Sequence, residues 1–191
     1  MVMKYADLFC GLGGMRLGLE DALKSMGIVG EAVFSSEIKH HAVNAYRDNF
    51  GETPQGDITQ IDTTNIPSFD FLLAGFPCQA FSYAGGRLGF EDTRGTLFFE
   101  VARILKAKKP QGFLLENVEG LVAHDGGKTL STMLEILIDM GYSTDWKVLD
   151  GKDFGLAQSR VNAIYEARKL FETPNMIEPD IWLEYVNGRI K

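Results

Sequence analysis

Apolar and polar positions along this chain change period in a regular way, and the changes mark out its elements. Tyr5 to Phe9 reads as a short strand that empties into a glycine-rich turn, Cys10-Gly11-Leu12-Gly13-Gly14. Met15 to Met26 has helical spacing, with Leu17, Leu19, Leu23 and Met26 available to pack. Glu31 to Ser36 reads as a second strand ending in Glu37, and His40 to Phe50 as a second helix. Gly56-Asp57-Ile58 reads as a third strand and the apolar run Asp70 to Ala74 as a fourth, buried one. Thr96 to Lys108 is helical, Gly112 to Leu115 is a fifth strand ending in Glu116-Asn117, and Lys128 to Met140 is a helix stopped by Gly141. Tyr142 to Leu149 and Val161 to Ala167 complete the set as two last strands.

Strand and helix alternate almost throughout, which predicts βαβ units, a mostly parallel sheet and the α/β class. The pattern decays after Arg168. Residues 1–168 therefore read as one domain, and residues 169–191, with Pro174, Pro179 and a short helical pattern over Ile181 to Val186, as a tail or appendage.

Composition narrows the class. A chain of 191 residues with 45% hydrophobic and 24% charged content has the make-up of a soluble globular domain with a sizeable core. No apolar run approaches the roughly 20 residues needed to span a bilayer, and Met1-Val2-Met3-Lys4 leads straight into a strand pattern. Cys10 and Cys78 have no metal-type spacing, so no metal site is expected, and a reduced, cytoplasmic setting fits them. The net charge of −7 argues against a chain that grips nucleic acid unaided. Arg87, Arg94, Arg103, Lys106, Lys108 and Lys109 gather in one third of the chain, and such a cluster is by default solvated surface.

Candidate chemistry lies at the strand ends. After Phe71 to Ala74 comes Gly75-Phe76-Pro77-Cys78-Gln79, a thiol on a loop stiffened by proline at a strand's carboxyl end. The loop alone divides evenly between a reactive thiol and a packing cysteine. The first glycine turn could cradle a nucleotide-like ligand. Glu37 follows Gly14 by 23 residues, the place for an acid that binds ribose hydroxyls. With Asp57 and Asp7 it makes a row of carboxylates that suits ribose, an amino group or a cation and repels phosphate. Gly11-Leu12-Gly13-Gly14 also lacks the dinucleotide fingerprint, which counts against a nicotinamide-dependent oxidoreductase. An adenosine ligand without a pyrophosphate fits, and S-adenosyl-L-methionine meets that description.

Taken in order, Asp7-Leu8-Phe9-Cys10-Gly11-Leu12-Gly13-Gly14, Gly56-Asp57-Ile58-Thr59, Gly75-Phe76-Pro77-Cys78-Gln79, the run Gly89 to Phe99, Glu116-Asn117-Val118 and Gln158-Ser159-Arg160 resemble the DNA cytosine-5 methyltransferases of bacterial restriction–modification systems. The likeness extends over roughly residues 5 to 168. It implies a Rossmann-like, S-adenosylmethionine-dependent methyltransferase fold with an antiparallel last strand. It also implies that Phe9, Leu12, Gly14, Glu37, Ile38, Asp57, Ile58, Pro77 and Leu97 line the cofactor pocket. By the same resemblance Cys78 is the nucleophile, Glu116 holds the cytosine ring, and Arg160 is the first arginine of a Gln-x-Arg-x-Arg motif.

The chemistry makes sense of those residue types. Carbon 5 of cytosine is a poor nucleophile until a thiolate adds to carbon 6, and a carboxylic acid on ring nitrogen 3 offsets the charge that addition creates. Burial favours the protonated form that such an acid needs. The base must leave the duplex to be reached.

Two departures from the family pattern stand out. Asn162 takes the place of the second arginine and cannot offer a bidentate fork, so weakened turnover is expected. Nothing after Arg168 resembles a target-recognition region, a Gly-Asn-Ser segment or the last helix that would cover one face of the sheet. Either a second chain supplies double-stranded DNA recognition, or the chain is a relic that binds cofactor or serves as an interaction module, with self-association through the uncovered apolar face. His40, His41 and His124 read as surface or capping residues.

Overall fold

The computed structural model describes residues 1–77, 97–155 and 161–169, the last five of these as backbone only. Cys78, Arg160, the run up to Thr96 and the tail from Leu170 lie outside the described residues. The chain order is β1 (Val2–Leu8), α1 (Gly14–Ser25), β2 (Val29–Ser36), α2 (His40–Phe50), β3 (Phe71–Gly75), α3 (Leu97–Lys108), β4 (Gly112–Val118), α4 (Gly120–Ala123), α5 (Lys128–Asp139), β5 (Tyr142–Asp150) and β6 (Val161–Lys169).

The six strands form one sheet in the order β2-β1-β3-β4-β6-β5. The first four run parallel, and β6 runs antiparallel to both β4 and β5. The expected α/β architecture, a mostly parallel Rossmann-like sheet with an antiparallel last strand, is therefore present.

Alternation along the strands sends side chains to two faces. On one face Tyr5, Phe71 and Leu73 pack under Leu19 and Leu23 of α1. On the other, Leu8, Leu72, Ala74, Phe113 and Leu115 meet Phe98, Val101 and Leu105 of α3 and Leu130, Met133 and Leu137 of α5. β1 and β3 are covered on both sides, which is why they read as continuous apolar runs, while β4 is buried toward α3 and α5 and only partly on its other face. Each large side chain fully buried here contributes about 1.5–3 kcal/mol.

The third strand expected over Gly56 to Ile58 is not a strand. Only Gln55 bridges to Ser36. Asp57 then accepts the Thr59 N–H at 2.9 Å and the Thr59 hydroxyl at 2.8 Å, starting a short 3-10 turn over Ile58–Gln60. An aspartate that bonds its own backbone two residues on competes with a strand ladder and wins here. Asp62 repeats the device with Thr64.

The basic cluster also needs correction, because part of it is structural. Arg103 donates to the Ile58 carbonyl at 2.9 Å, and the Lys108 ammonium donates to the Ile66 carbonyl. These two side chains tie the segment between β2 and β3 to α3 by its backbone, where no sheet ladder does so. Among the described residues, no helix is long and apolar enough to cross a membrane.

Candidate functional site

The carboxyl ends of β1, β2, β3 and β4 lie side by side, so the loops that leave them share one edge of the sheet. At β1 the chain turns sharply. Phe9 takes φ 54°, a left-handed conformation unusual for a bulky residue, and the Cys10 N–H then reaches the Ser36 carbonyl at 3.0 Å. Gly13 follows at φ 89° as the residue before α1, and Gly14 opens that helix.

Glu37, just past β2, is the centre of the turn. One carboxylate oxygen accepts the Ile38 and Lys39 N–H groups, both at 2.9 Å, and the other accepts the Gly11 N–H at 3.0 Å. A carboxylate offers about four acceptor positions, so capacity remains for a hydroxyl donor. Leu12 and Ile38 flank this point and are 60% and 64% exposed, a large apolar exposure for two neighbouring loops. Ile58 is buried in the core on the α3 side of the sheet, and Phe9 and Leu97 are partly buried against that same core. Asp57 is exposed, with one oxygen held by Thr59.

Asp7 does not join that row of carboxylates. It is 1% exposed and accepts the Tyr46 hydroxyl at 3.2 Å inside the protein. Burial, its largest influence, pushes its carboxyl up to about 7. Burial likewise pushes the Cys10 thiol up, with Asp7 and Glu37 adding to the effect, so Cys10 is an un-ionised packing residue and no rival nucleophile.

The second half of the site is built by β3 and β4. Their register pairs Gly75 with Glu116. A Cβ on Gly75 would lie 3.3 Å from a Glu116 carboxylate oxygen and 3.5 Å from the Met15 sulfur, so glycine leaves room for that carboxylate against the backbone. Glu116 and Asn117 lie within β4, not beyond its end, and point to opposite faces. Asn117 is buried and donates to the Phe76 carbonyl at 2.7 Å, pinning the residue before the exposed Pro77. Sequence reasoning gave Asn117 no task, although a buried amide beside a candidate acid was a usable signal. On β6, Asn162 pairs with Val118 and so lies on the same face as Glu116, whose own partner across the strands is Ile164.

The profile of the C-5 cytosine-specific DNA methylases matches residues 3–170. The chain belongs to this family. The type II methyltransferase M.NlaIV of Neisseria lactamica is 55% identical over 182 residues, which cover 91% of this chain and 43% of that protein. The type II methyltransferase M.HgiCI of Herpetosiphon aurantiacus is 56% identical over 160 residues, 84% of this chain and 37% of that protein. The methylase chain thus spans less than half the length of these curated relatives. Among solved structures, a triple mutant of Spodoptera frugiperda DNMT2 superposes with a TM-score of 0.70 at 25% identity, over 93% of this chain and 53% of that one. The family is one of methyltransferases that draw their methyl group from S-adenosyl-L-methionine. The Glu37 carboxylate, the phosphate-averse acidic edge and the apolar Leu12 and Ile38 fit a nucleoside that carries a sulfonium and no phosphate.

Proposed function

We propose that residues 1–168 are the catalytic domain of a DNA cytosine-5 methyltransferase and that residues 169–191 are an appendage to it. The observation that carries this reading is the placement of Glu116 against Gly75, three residues before Cys78, on the same sheet edge as the Glu37-anchored turn. In this reading Phe9, Leu12, Gly14, Glu37, Ile38, Asp57, Ile58, Pro77 and Leu97 bind S-adenosyl-L-methionine, which supplies an electrophilic methyl group.

The residues of the chain divide the remaining work. Cys78, as thiolate, forms a bond from its sulfur to carbon 6 of a cytosine flipped from double-stranded DNA. The electron pair of the 5,6 double bond moves into the ring, and protonated Glu116 donates to nitrogen 3 to offset the charge. Carbon 5, so activated, is the atom to which bound S-adenosyl-L-methionine would supply its methyl group. Loss of the carbon 5 hydrogen as a proton lets the sulfur leave and restores the double bond, while nitrogen 3 returns its proton to Glu116. Arg160 assists at the base.

A second chain is proposed to supply DNA recognition. Val118, 51% exposed on the Glu116 face of β4, supports this. The setting is proposed to be cytoplasmic. One observation favours a second reading, a relic that still binds cofactor: Asn162, on the Glu116 face and paired with Val118, stands where the family pattern calls for arginine.

Mixing the protein with cytosine-containing duplex DNA and methyl-labelled S-adenosylmethionine separates the two readings, with and without the remaining half of a relative such as M.NlaIV. Label on DNA that disappears in Cys78→Ala supports the enzyme. Cofactor binding with no label under either condition supports the relic.

A further inference from the structure

Behind the glycine turn lies a group of side chains that the mechanism does not use. Gly13 rests directly on the Phe50 ring: a Cβ at Gly13 would come within 2.1 Å of a ring carbon. Phe50 closes α2 and leans on Tyr46, with ring centroids 4.6 Å apart. Asn49, one residue earlier, donates to the Leu12 carbonyl at 3.4 Å. The end of α2 therefore touches the turn at two successive residues.

Arg16 of α1 closes on Phe50 in turn. Its guanidinium carbon lies 4.1 Å from the Phe50 ring centroid, well inside the range of cation–ring attraction. The guanidinium is itself fixed by donating from Nε to Glu20 at 2.8 Å and from Nη1 to Glu52 at 2.8 Å and the Tyr46 hydroxyl at 3.1 Å. Arg16 is 9% exposed, an expensive place for a cation whose ion pairs add little net stability once desolvated. Lysine could keep the charge but not the flat fork that stacks on a ring while serving three acceptors.

We infer that Arg16 is a positioning residue for the cofactor site: it clamps Phe50 against Gly13 and so fixes where the Gly11 amide meets Glu37. The inference rests on the reading that S-adenosylmethionine binds beside Glu37. It assigns Arg16 and Phe50 a part in ligand affinity although neither needs to touch the ligand.

Arg16→Lys and Phe50→Leu in the full chain test it by two readouts. Amide hydrogen exchange of the unliganded protein should accelerate across Cys10–Gly14, while β3 and β4 keep their protection. The dissociation constant for S-adenosylmethionine, measured by calorimetry, should rise about tenfold in each variant. Unchanged exchange at the turn, or wild-type affinity in both variants despite a lower melting temperature, overturns the inference and leaves Arg16 a structural residue. Accelerated exchange in the variants of a wild-type chain that binds no S-adenosylmethionine supports the clamp and overturns the cofactor reading instead. Phe50→Leu keeps the test informative should Arg16→Lys fold poorly.

Discussion

Around the glycine turn, β1, α1 and α2 are tied together by polar and charged side chains that reach across long stretches of sequence. Arg16 meets Glu52, Tyr46 meets Asp7, and Gly11 meets Glu37. The β3–β4–β6 half is put together differently. There the described site residues depend on strand register, on a glycine that makes room for Glu116, and on one amide, Asn117, that holds the Phe76 carbonyl. The glycine turn is thus braced by side chains of β1, α1 and α2 themselves, whereas the β4 side leaves Val118 half-exposed two residues beyond Glu116. On the proposed function, a chain assembled this way keeps the cofactor turn in shape independently of what completes the catalytic side.

The comparison breaks first at the chemistry. Cys78→Ala should cut methyl transfer on the order of 10^4-fold or more, and Glu116→Gln roughly 10^2- to 10^4-fold, both with cofactor affinity retained. If either change also abolishes cofactor binding, measured by calorimetry, the two halves are not separable in the way described.

A stability measurement comes next in size. Phe98 is buried where α3 meets the sheet, and Phe98→Ala should cost about 3–5 kcal/mol in denaturant unfolding. Asp7 gives a pH-dependent counterpart on the cofactor side. Its carboxyl sits at about 7 in the folded protein against 3.8 for the ordinary group, so the folded state holds a proton that the unfolded chain releases. The stability from that proton is complete below about pH 4 and is lost as pH rises through about 7, at most about 4 kcal/mol in all. Asp7→Asn, which can still accept from Tyr46, should therefore raise the melting temperature relative to wild type at pH 8 far more than at pH 5. Equal shifts at the two pH values would show that Asp7 is ionised throughout.

The smaller effects sharpen the contrast. Asn117→Ala should lower stability by about 1–3 kcal/mol in denaturant unfolding and slow turnover, because it frees the Phe76 carbonyl beside Pro77. Asn162→Arg should raise turnover in a catalytically competent assembly. No gain would mean that arginine is not what β6 lacks.

Much of this molecule could be read locally. Phe71 to Ala74 is apolar because both its faces are covered, Phe113 and Leu115 because they face α3 and α5, and α1 and α5 keep helical spacing because one side of each meets the sheet. Glu37, Glu116 and the glycine turn could be singled out by position and by family likeness. What stayed hidden depends on partners far apart in sequence. Asp7 reads as one more strand-end acid until Tyr46, 39 residues later, turns it inward. Arg103 and Lys108 read as surface charge until the carbonyls of Ile58 and Ile66 claim them. The third strand failed for a local reason instead: Asp57 and Thr59 form a side-chain turn that no apolar periodicity reports.

The reversed direction of β6 has a consequence of its own. Because that strand enters the sheet beside the carboxyl tip of β4, its opening residues, and not its closing ones, border the reactive edge. On the proposed reading, substitutions at Val161 or Asn162 should retune chemistry, while those at the far end of the strand, Arg168 and Lys169, fall at the opposite rim. If the proposed chemistry holds, activity at that edge can be edited where one strand begins, with the scaffold beneath left untouched.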